Sequence, residues 1–228
     1  MEIKILGVYS TLGEGELINA ERMIKEIMSA SEKYTERVGD LVKSDVVLLT
    51  EDKIKSGCTY CNWCLEGQTA DVFCAIDDVF SKEIYSKIIE ADALLVATSV
   101  YMGINWLMTS FINRLYALNE GCYYGSKGPF GDDTNGILKN KVLAVVSGDM
   151  VRHDGIETAV SHELFSALMF GMIPVTASIN DKRWVGGVPV LKTKEFAIFA
   201  ESIGRRIVEV TRLIKAGKTA LKKFPAYI

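Results

Sequence analysis

Four cysteines stand close together in the chain: Cys58-Thr-Tyr-Cys61-Asn-Trp-Cys64, then Cys74, followed by Ala-Ile-Asp77-Asp78. Thiols at two-residue intervals on a tight loop can turn inward to one centre, so the stretch reads as a single site. The C-x2-C-x2-C opening is the spacing of ferredoxin-type iron–sulfur sites. Zinc also takes four thiolates, usually from two separate C-x2-C pairs, and a third reading leaves the thiols without metal. The spacing favours a cluster. Disulfides suit small secreted chains, whereas the N-terminus Met-Glu-Ile-Lys-Ile-Leu-Gly-Val reads as a first strand and has no signal-peptide architecture. A reducing, cytoplasmic setting follows as an expectation, with Cys122 as a free thiol.

A second group of residues follows three apolar runs. The first is Tyr9-Ser10-Thr11-Leu12-Gly13-Glu14-Gly15-Glu16, a hydroxyl- and glycine-bearing turn that opens a helix. Its backbone N–H groups, with the Ser10 and Thr11 hydroxyls, suit a phosphate at the positive end of a helix dipole. The second, Thr98-Ser99-Val100-Tyr101-Met102-Gly103, puts Tyr101 and Met102 where an aromatic ring can rest. The third, Ser147-Gly148-Asp149-Met150, offers backbone amides to polar ring edges. Singly each is weak, since a tyrosine after a buried strand is more often packing than a cofactor contact. Together they predict a flat cofactor with a phosphate tail.

No G-x-x-x-x-G-K-[ST] is present, which excludes a triphosphate P-loop, and neither a Ser-His-Asp set nor H-E-x-x-H appears. No catalytic side chain is assigned, and the hard chemistry falls to a cofactor. Of the two histidines, His153 follows the fourth strand and reads as a solvent-exposed loop residue, and His162 reads as a structural helix residue. Arg114 is read as structural, and Arg205 and Arg206 as part of a solvated helix face.

The elements that must position these residues alternate. Strands are predicted at 3–8, 45–49, 93–98, 142–146 and 174–178, and helices at about 17–38, 78–91, from Asn105, at 156–170 and at 193–215. Asp77 and Asp78 offer an N-cap. The buried stripes expected are Phe80, Ile84 and Ile88; Leu107, Phe111, Ile112 and Leu115; Val160, Leu164, Phe165, Leu168 and Met169; and Phe196, Ala200, Ile203, Ile207, Val210 and Ile214. Such alternation predicts an α/β fold with a parallel sheet covered on both faces. In open sheets of this kind, ligands bind beyond the carboxyl ends of the strands.

Two segments are too long to be simple connections: the cysteine loop at about 51–76 and an insertion at about 118–141. Their aromatic residues Tyr60, Trp63, Phe73, Tyr123, Tyr124 and Phe130 predict subunit contacts in a homodimer or homotetramer. The chain of 228 residues otherwise reads as one domain, 1–228, with 49% apolar and 24% charged residues. A net charge of −3 argues against nucleic acid or a membrane surface as partner, and no apolar run is long enough to span a bilayer.

Several stretches then read together: the four cysteines with Ile76-Asp77-Asp78, Ala91-Asp92, the apolar run 94–98 with Ser99-Val100-Tyr101, and Phe111-Ile112-Asn113-Arg114. Ser147-Gly148, Gly155-Ile156-Glu157 and Gly171-Met172 continue the pattern. On these residues the chain resembles the iron–sulfur flavoproteins within the flavodoxin-like NADPH-dependent FMN reductase family. Ser99 stands where that family has proline, Thr109 where it has lysine, and Asn113 where it has aspartate. The first loop carries no basic residue, and the gap before Cys74 is longer than usual.

The resemblance implies a flavodoxin-like three-layer sandwich with a five-stranded parallel sheet. It implies FMN at Ser10, Thr11, Leu12, Gly13, Ser99, Val100, Tyr101, Met102, Gly103, Ser147, Gly148 and Asp149, and a [4Fe–4S] cluster on Cys58, Cys61, Cys64 and Cys74. The expected function is an FMN-dependent oxidoreductase or electron-transfer flavoprotein with small-molecule or protein electron partners, NAD(P)H among the donors. It also implies oligomers in which one subunit's cluster loop approaches a neighbour's flavin. The alternatives are a cluster-free NAD(P)H-dependent FMN or quinone reductase and a zinc-stapled, non-enzymatic module.

Overall fold

A computed structural model describes residues 1–10, 14–99, 104–129, 136–148, 156–175 and 194–221. Five parallel strands, β1 (Glu2–Ser10), β2 (Leu41–Leu49), β3 (Ala93–Ser99), β4 (Val142–Gly148) and β5 (Ile173–Val175), form one sheet in the order β2-β1-β3-β4-β5. This is the flavodoxin-like order, whose direction reverses between β1 and β3. Leu6, Val8, Leu94 and Val96 face one layer, and Ile3, Ile5, Ala93, Leu95 and Ala97 face the other. Burial on both faces explains why the central strands read as continuous apolar runs.

Helices α1 (Glu14–Val38) and α6 (Lys194–Leu221) cover one face. They cross closely at Gly204, where an added Cβ would come within 2.7 Å of the Ile27 carbonyl oxygen and 2.8 Å of the Ser31 nitrogen. The Ser31 hydroxyl donates to the Gly204 carbonyl at 3.2 Å, so hydrogen bonding reinforces the crossing. The other face carries α2 (Tyr85–Glu90), α3 (Trp106–Arg114), the short α4 (Tyr116–Glu120) and α5 (Ile156–Met169), together with the cysteine loop and the described parts of the insertion. α2 is entered through a π-helical turn, Phe80–Ile84. Asp78 caps that turn, its Oδ1 accepting the Ser81 amide at 2.9 Å, whereas Asp77 is exposed and pairs with Lys82.

The strands and most helix faces lie where the pattern puts them. β2 is longer than expected because it is an edge strand. Its first half (Leu41, Ser44, Asp45) is exposed and lacks the apolar signal, yet it pairs along β1 from Glu2↔Leu41 to Ser10↔Leu49. α5 corrects the expected stripe. Val160 and Leu164 are partly buried, but Phe165, Leu168 and Met169 are 64%, 61% and 61% exposed, while Glu163 and Ala167 face the core. His162 is also exposed and not a packed helix residue. The end of the predicted fifth strand, residues 176–178, lies outside the described residues, as does His153.

Candidate functional site

The cysteine loop leaves the carboxyl end of β2 and is tied down before it reaches Cys58. The Lys53 and Ile54 amides donate to the Thr50 carbonyl at 3.0 and 3.1 Å, the Phe80 amide donates to Lys53, and the Lys55 ammonium donates to the Asp77 carbonyl. Around Cys61 the backbone is left-handed at two non-glycine residues, Tyr60 (φ 56) and Asn62 (φ 59). Such conformations are uncommon outside glycine and concentrate where the surroundings enforce them. From Asn62 the chain enters a short 3-10 turn, Trp63–Leu65, that carries Cys64 inward.

Gln68 joins the loop to the insertion. Its amide nitrogen donates to the carbonyls of Phe73 (3.0 Å) and Ala117 (2.9 Å), and its oxygen accepts the amides of Tyr123 (3.0 Å) and Tyr124 (2.8 Å). Gly121 makes the approach possible, since a Cβ there would lie 2.1 Å from that oxygen. The Cys122 amide donates to the Cys64 carbonyl at 2.8 Å, and the Tyr124 hydroxyl to Ala70 at 2.8 Å. Phe73 stacks near Tyr85 and Tyr124 with centroids 5.3 and 5.2 Å apart. Phe73 and Tyr124, expected at a subunit contact, are thus buried inside the chain, where the two long segments cover one another. Phe130 lies outside the described residues. Tyr60 remains 71% exposed at the loop's tip.

Replacing Gln68 with Leu removes all four bonds and leaves buried backbone groups unpaired. The expected cost is on the order of 3 kcal/mol, read by urea denaturation. The insertion should also become a site of early proteolytic nicking; unchanged stability and cleavage would contradict the clamp.

Cys58, Cys61, Cys64 and Cys74 line one concavity together with Tyr60, Tyr85, Tyr116, Ile76 and Arg114. All four are free thiols; Cys58 and Cys61 are exposed, Cys74 is partly buried and Cys64 is buried. Burial first, and then the neighbouring thiols, push Cys64 up to about 11. Among the described residues no three Cys, His, Asp or Glu side chains close on a point suited to a single metal ion. The four thiols line the concavity.

Beneath the thiols lies a buried ion pair. Arg114 and Asp78, with side chains 1% and 0% exposed, meet as a fork, Nη1–Oδ2 at 3.0 Å and Nη2–Oδ1 at 3.2 Å. Arg114 Nη2 also donates to Ser81 Oγ (2.6 Å), Nη1 to the Ser56 carbonyl (3.3 Å) and Nε to the Tyr85 hydroxyl (3.4 Å). The Tyr85 hydroxyl in turn donates to the Arg114 carbonyl at 2.7 Å. Burial works to raise the pKa of Asp78, but the Arg114 bond and the Ser81 and Lys55 amides hold it below the ordinary value. Burial likewise opposes the charge on Arg114, and Asp78 outweighs it. The structural reading of Arg114 holds, with Asp78 as the partner that the sequence did not identify.

The three post-strand loops leave adjacent positions on one sheet edge, through the pairs Ser10↔Thr98, Thr98↔Ser147 and Ser99↔Gly148. Thr11, Leu12, Gly13, Val100, Tyr101, Met102, Gly103 and Asp149 lie outside the described residues. Ser10 is fully buried, and its Oγ accepts the Asn105 side-chain amide at 2.8 Å. Asn105 caps α3 through the Met108 amide at 3.0 Å, so it fixes the start of that helix against the end of β1. The cap was legible in the sequence; the bond to Ser10 was not.

No family model matches the chain. It is 27% identical over 186 residues to an iron–sulfur flavoprotein of Archaeoglobus fulgidus, across 76% of this chain and 82% of that protein. It is 26% identical over 219 residues to an iron–sulfur flavoprotein of Methanosarcina thermophila, across 95% and 99%. Among solved structures it is similar to RosB with bound 8-demethyl-8-formylriboflavin-5'-phosphate (TM-score 0.61, 15% identity, 98% of this chain and 81% of that one). It is also similar to FerB, a flavoenzyme NAD(P)H:(acceptor) oxidoreductase of Paracoccus denitrificans (TM-score 0.56, 13% identity, 94% and 98%). The fold is flavodoxin-like, and the chain is similar in sequence to the iron–sulfur flavoproteins.

Proposed function

We propose that the chain is an FMN-dependent redox protein that carries a [4Fe–4S] cluster on Cys58, Cys61, Cys64 and Cys74, acting as an oxidoreductase or an electron carrier. The observation that carries this reading is the set of four free thiols lining one concavity, on a chain whose strand order opens a ligand crevice at β1 and β3. A donor set of thiols alone suits iron–sulfur ligation.

When bound, the flavin supplies one- or two-electron transfer and the cluster single-electron transfer. The chain's own residues position. The carboxyl ends of β1, β3 and β4, at Ser10, Ser99, Ser147 and Gly148, together with the loop residues that follow them, would hold the phosphate and ring of FMN. Asn105 holds Ser10 in place. Tyr85, Tyr116 and Ala117 wall the cysteine concavity, and Gln68 holds the loop on the body of the fold.

NAD(P)H is the donor class suggested by FerB's own activity, and the acceptor is a small molecule or a protein. Free cysteines fit a cytoplasmic setting. A symmetric homodimer or homotetramer is part of the proposal, supported by the exposed Tyr60, Leu65 and Val72 on the cysteine loop and Phe165, Leu168 and Met169 on α5. Among the described residues no helix is long and apolar enough to cross a membrane.

Anaerobic purification tests the reading. The expected material has flavin bands over a broad brown absorption, with about four irons and four sulfides per chain. Flavin bands alone would point to a cluster-free reductase; stoichiometric zinc without sulfide or flavin would point to the zinc-stapled module.

A further inference from the structure

We propose that Arg114 sets the electrostatics of the four-cysteine concavity: its buried guanidinium, backed by Asp78 on the side away from the thiols, raises the reduction potential of the group those thiols hold. The proposal rests on the cluster reading above and adds the residue that tunes it.

Among the described residues lining the concavity, Arg114 is the one side chain, apart from the cysteines themselves, that carries a formal charge; the others are Thr, Tyr, Asn, Ala and Ile. Asp78 does not line it. The ion pair is therefore a dipole whose positive end faces the sulfurs. Cys74 lies within electrostatic reach of both Arg114 and Tyr85. Burial of Arg114 removes the solvent screening that would blunt such a charge at the surface.

The hydrogen-bond pattern decides how the charge acts. A guanidinium has five N–H donors. Here Nε serves the Tyr85 hydroxyl, Nη1 serves Asp78 and the Ser56 carbonyl, and Nη2 serves Asp78 and Ser81. No donor is left for a sulfur. Arg114 therefore acts on the thiolate-bound group through space, by its charge, and it is pinned too firmly to swing away. Phe80, whose ring centroid lies 5.0 Å from the guanidinium carbon, fixes it further. A thiolate-held cluster gains one negative charge with each electron it takes up. A fixed cation beside it stabilises the reduced form more than the oxidised form, and net charge near the sulfurs is among the levers that set such potentials.

The test is a redox titration of the anaerobic holoprotein, with iron, sulfide and melting temperature measured on each variant. Asp78→Asn leaves the cation without its counter-charge and is expected to raise the cluster potential. Arg114→Gln with Asp78→Asn removes both charges at similar volume and is expected to lower it below that of the unmodified chain. Shifts of opposite sign are a signature that a purely structural role would not produce. Arg114→Lys keeps the charge without the fork and should stay closer to the unmodified chain than the charge-free pair does. Loaded variants with unchanged potentials, or with shifts of one sign, overturn the proposal while leaving the cluster reading intact.

If a variant folds but does not load, Co2+ alone is the probe. Its tetrathiolate absorption should report at least tenfold weaker binding to the charge-free pair than to the unmodified chain, and tighter binding to Asp78→Asn. Equal affinities overturn the proposal. An unmodified chain that takes up neither cluster nor Co2+ overturns both this inference and the function it rests on.

Discussion

Arg114→Met is expected to lower the folding stability of the apo-protein by about 3–5 kcal/mol, because it strands the Asp78 carboxylate in the interior. Asp78 is fully buried and accepts from Arg114, Ser81 and Lys55; the two backbone amides alone cannot offset the desolvation of a full charge. The companion variant Arg114→Met with Asp78→Leu removes both charges and should recover most of that loss, as paired apolar replacements of buried ion pairs commonly do. Urea denaturation of the two variants beside the unmodified chain measures the coupling. A single variant that loses under about 1 kcal/mol would show that the interior at this point is wetter than the burial implies. The pair also gives an acid dependence of definite sign. With the folded pKa of Asp78 below the ordinary 3.8, its contribution is present above that value and is lost as pH falls through the folded value. The charge-free double variant should lack that acid loss.

How far the sequence carries depends on what kind of contact holds each part. β3 and β4 are buried on both faces, so their apolar runs fix their place without reference to any other element. α6 is amphipathic with one clean stripe, Phe196, Ala200, Ile203, Ile207, Val210 and Ile214; the first five are buried and Ile214 is partly buried against the same core. That the four cysteines gather at one place was legible from their spacing, and they line one concavity. Gln68 was not. A neutral amide in an irregular loop gives no periodic signal, and its partners Ala117, Tyr123 and Tyr124 lie far along the chain. Nor was the burial of Phe73 and Tyr124 legible. Aromatic residues in long loops must be covered by something, and composition does not distinguish cover from within the chain from cover by a neighbour. Asp78 was read as a cap, correctly, but its second oxygen and the charge opposite it needed the fold.

α5 is the element whose pattern misled. Its apolar residues lie on two faces, one with Val160, Leu164 and Ala167 and one with Phe165, Leu168 and Met169. A helix apolar on both sides has no stripe to orient it, so periodicity alone cannot choose. The face turned inward is the one with small Ala167, which lets α5 come close to the sheet, and it brings Glu163 with it. The inward face packs against β4 and β5, at the expense of a buried carboxyl group.

Glu163→Leu is therefore expected to stabilise the protein at neutral pH. Both carboxyl oxygens of Glu163 are buried without a hydrogen-bond partner among the described residues. Among the described residues, the groups facing it are Val96 from β3, Phe111 and Ile112 from α3, Leu115 just after it, Leu143 from β4, Ser166 and Ala167 from α5 itself, and Phe170 and Met172 beyond it. None is charged, and the Ser166 hydroxyl donates to the His162 carbonyl. An unsatisfied buried polar group costs roughly 1–3 kcal/mol, more when charged, so an apolar side chain of similar length should gain at least that range. Burial alone raises the pKa of Glu163 well above its ordinary 4.5. The folded chain then keeps a proton that the unfolded chain loses. Below 4.5 both states hold the proton and there is no penalty from this group. As pH rises above 4.5 the penalty grows, by at most about 1.4 kcal/mol per pH unit, and it levels off only above the folded value. Among the described carboxylates, Glu2, Asp45, Asp52, Asp77 and Asp78 have lowered pKa values, so they lose their contributions only under more acidic conditions. The measurement is urea denaturation from pH 5.5 to 7.5, taken as the difference between the unmodified chain and Glu163→Gln, so that the histidines cancel. The unmodified chain should gain stability relative to Glu163→Gln as pH falls across that window. A difference that stays flat, together with a Glu163→Leu chain less stable at pH 7.5, would mean that the carboxylate is charged and served by a partner.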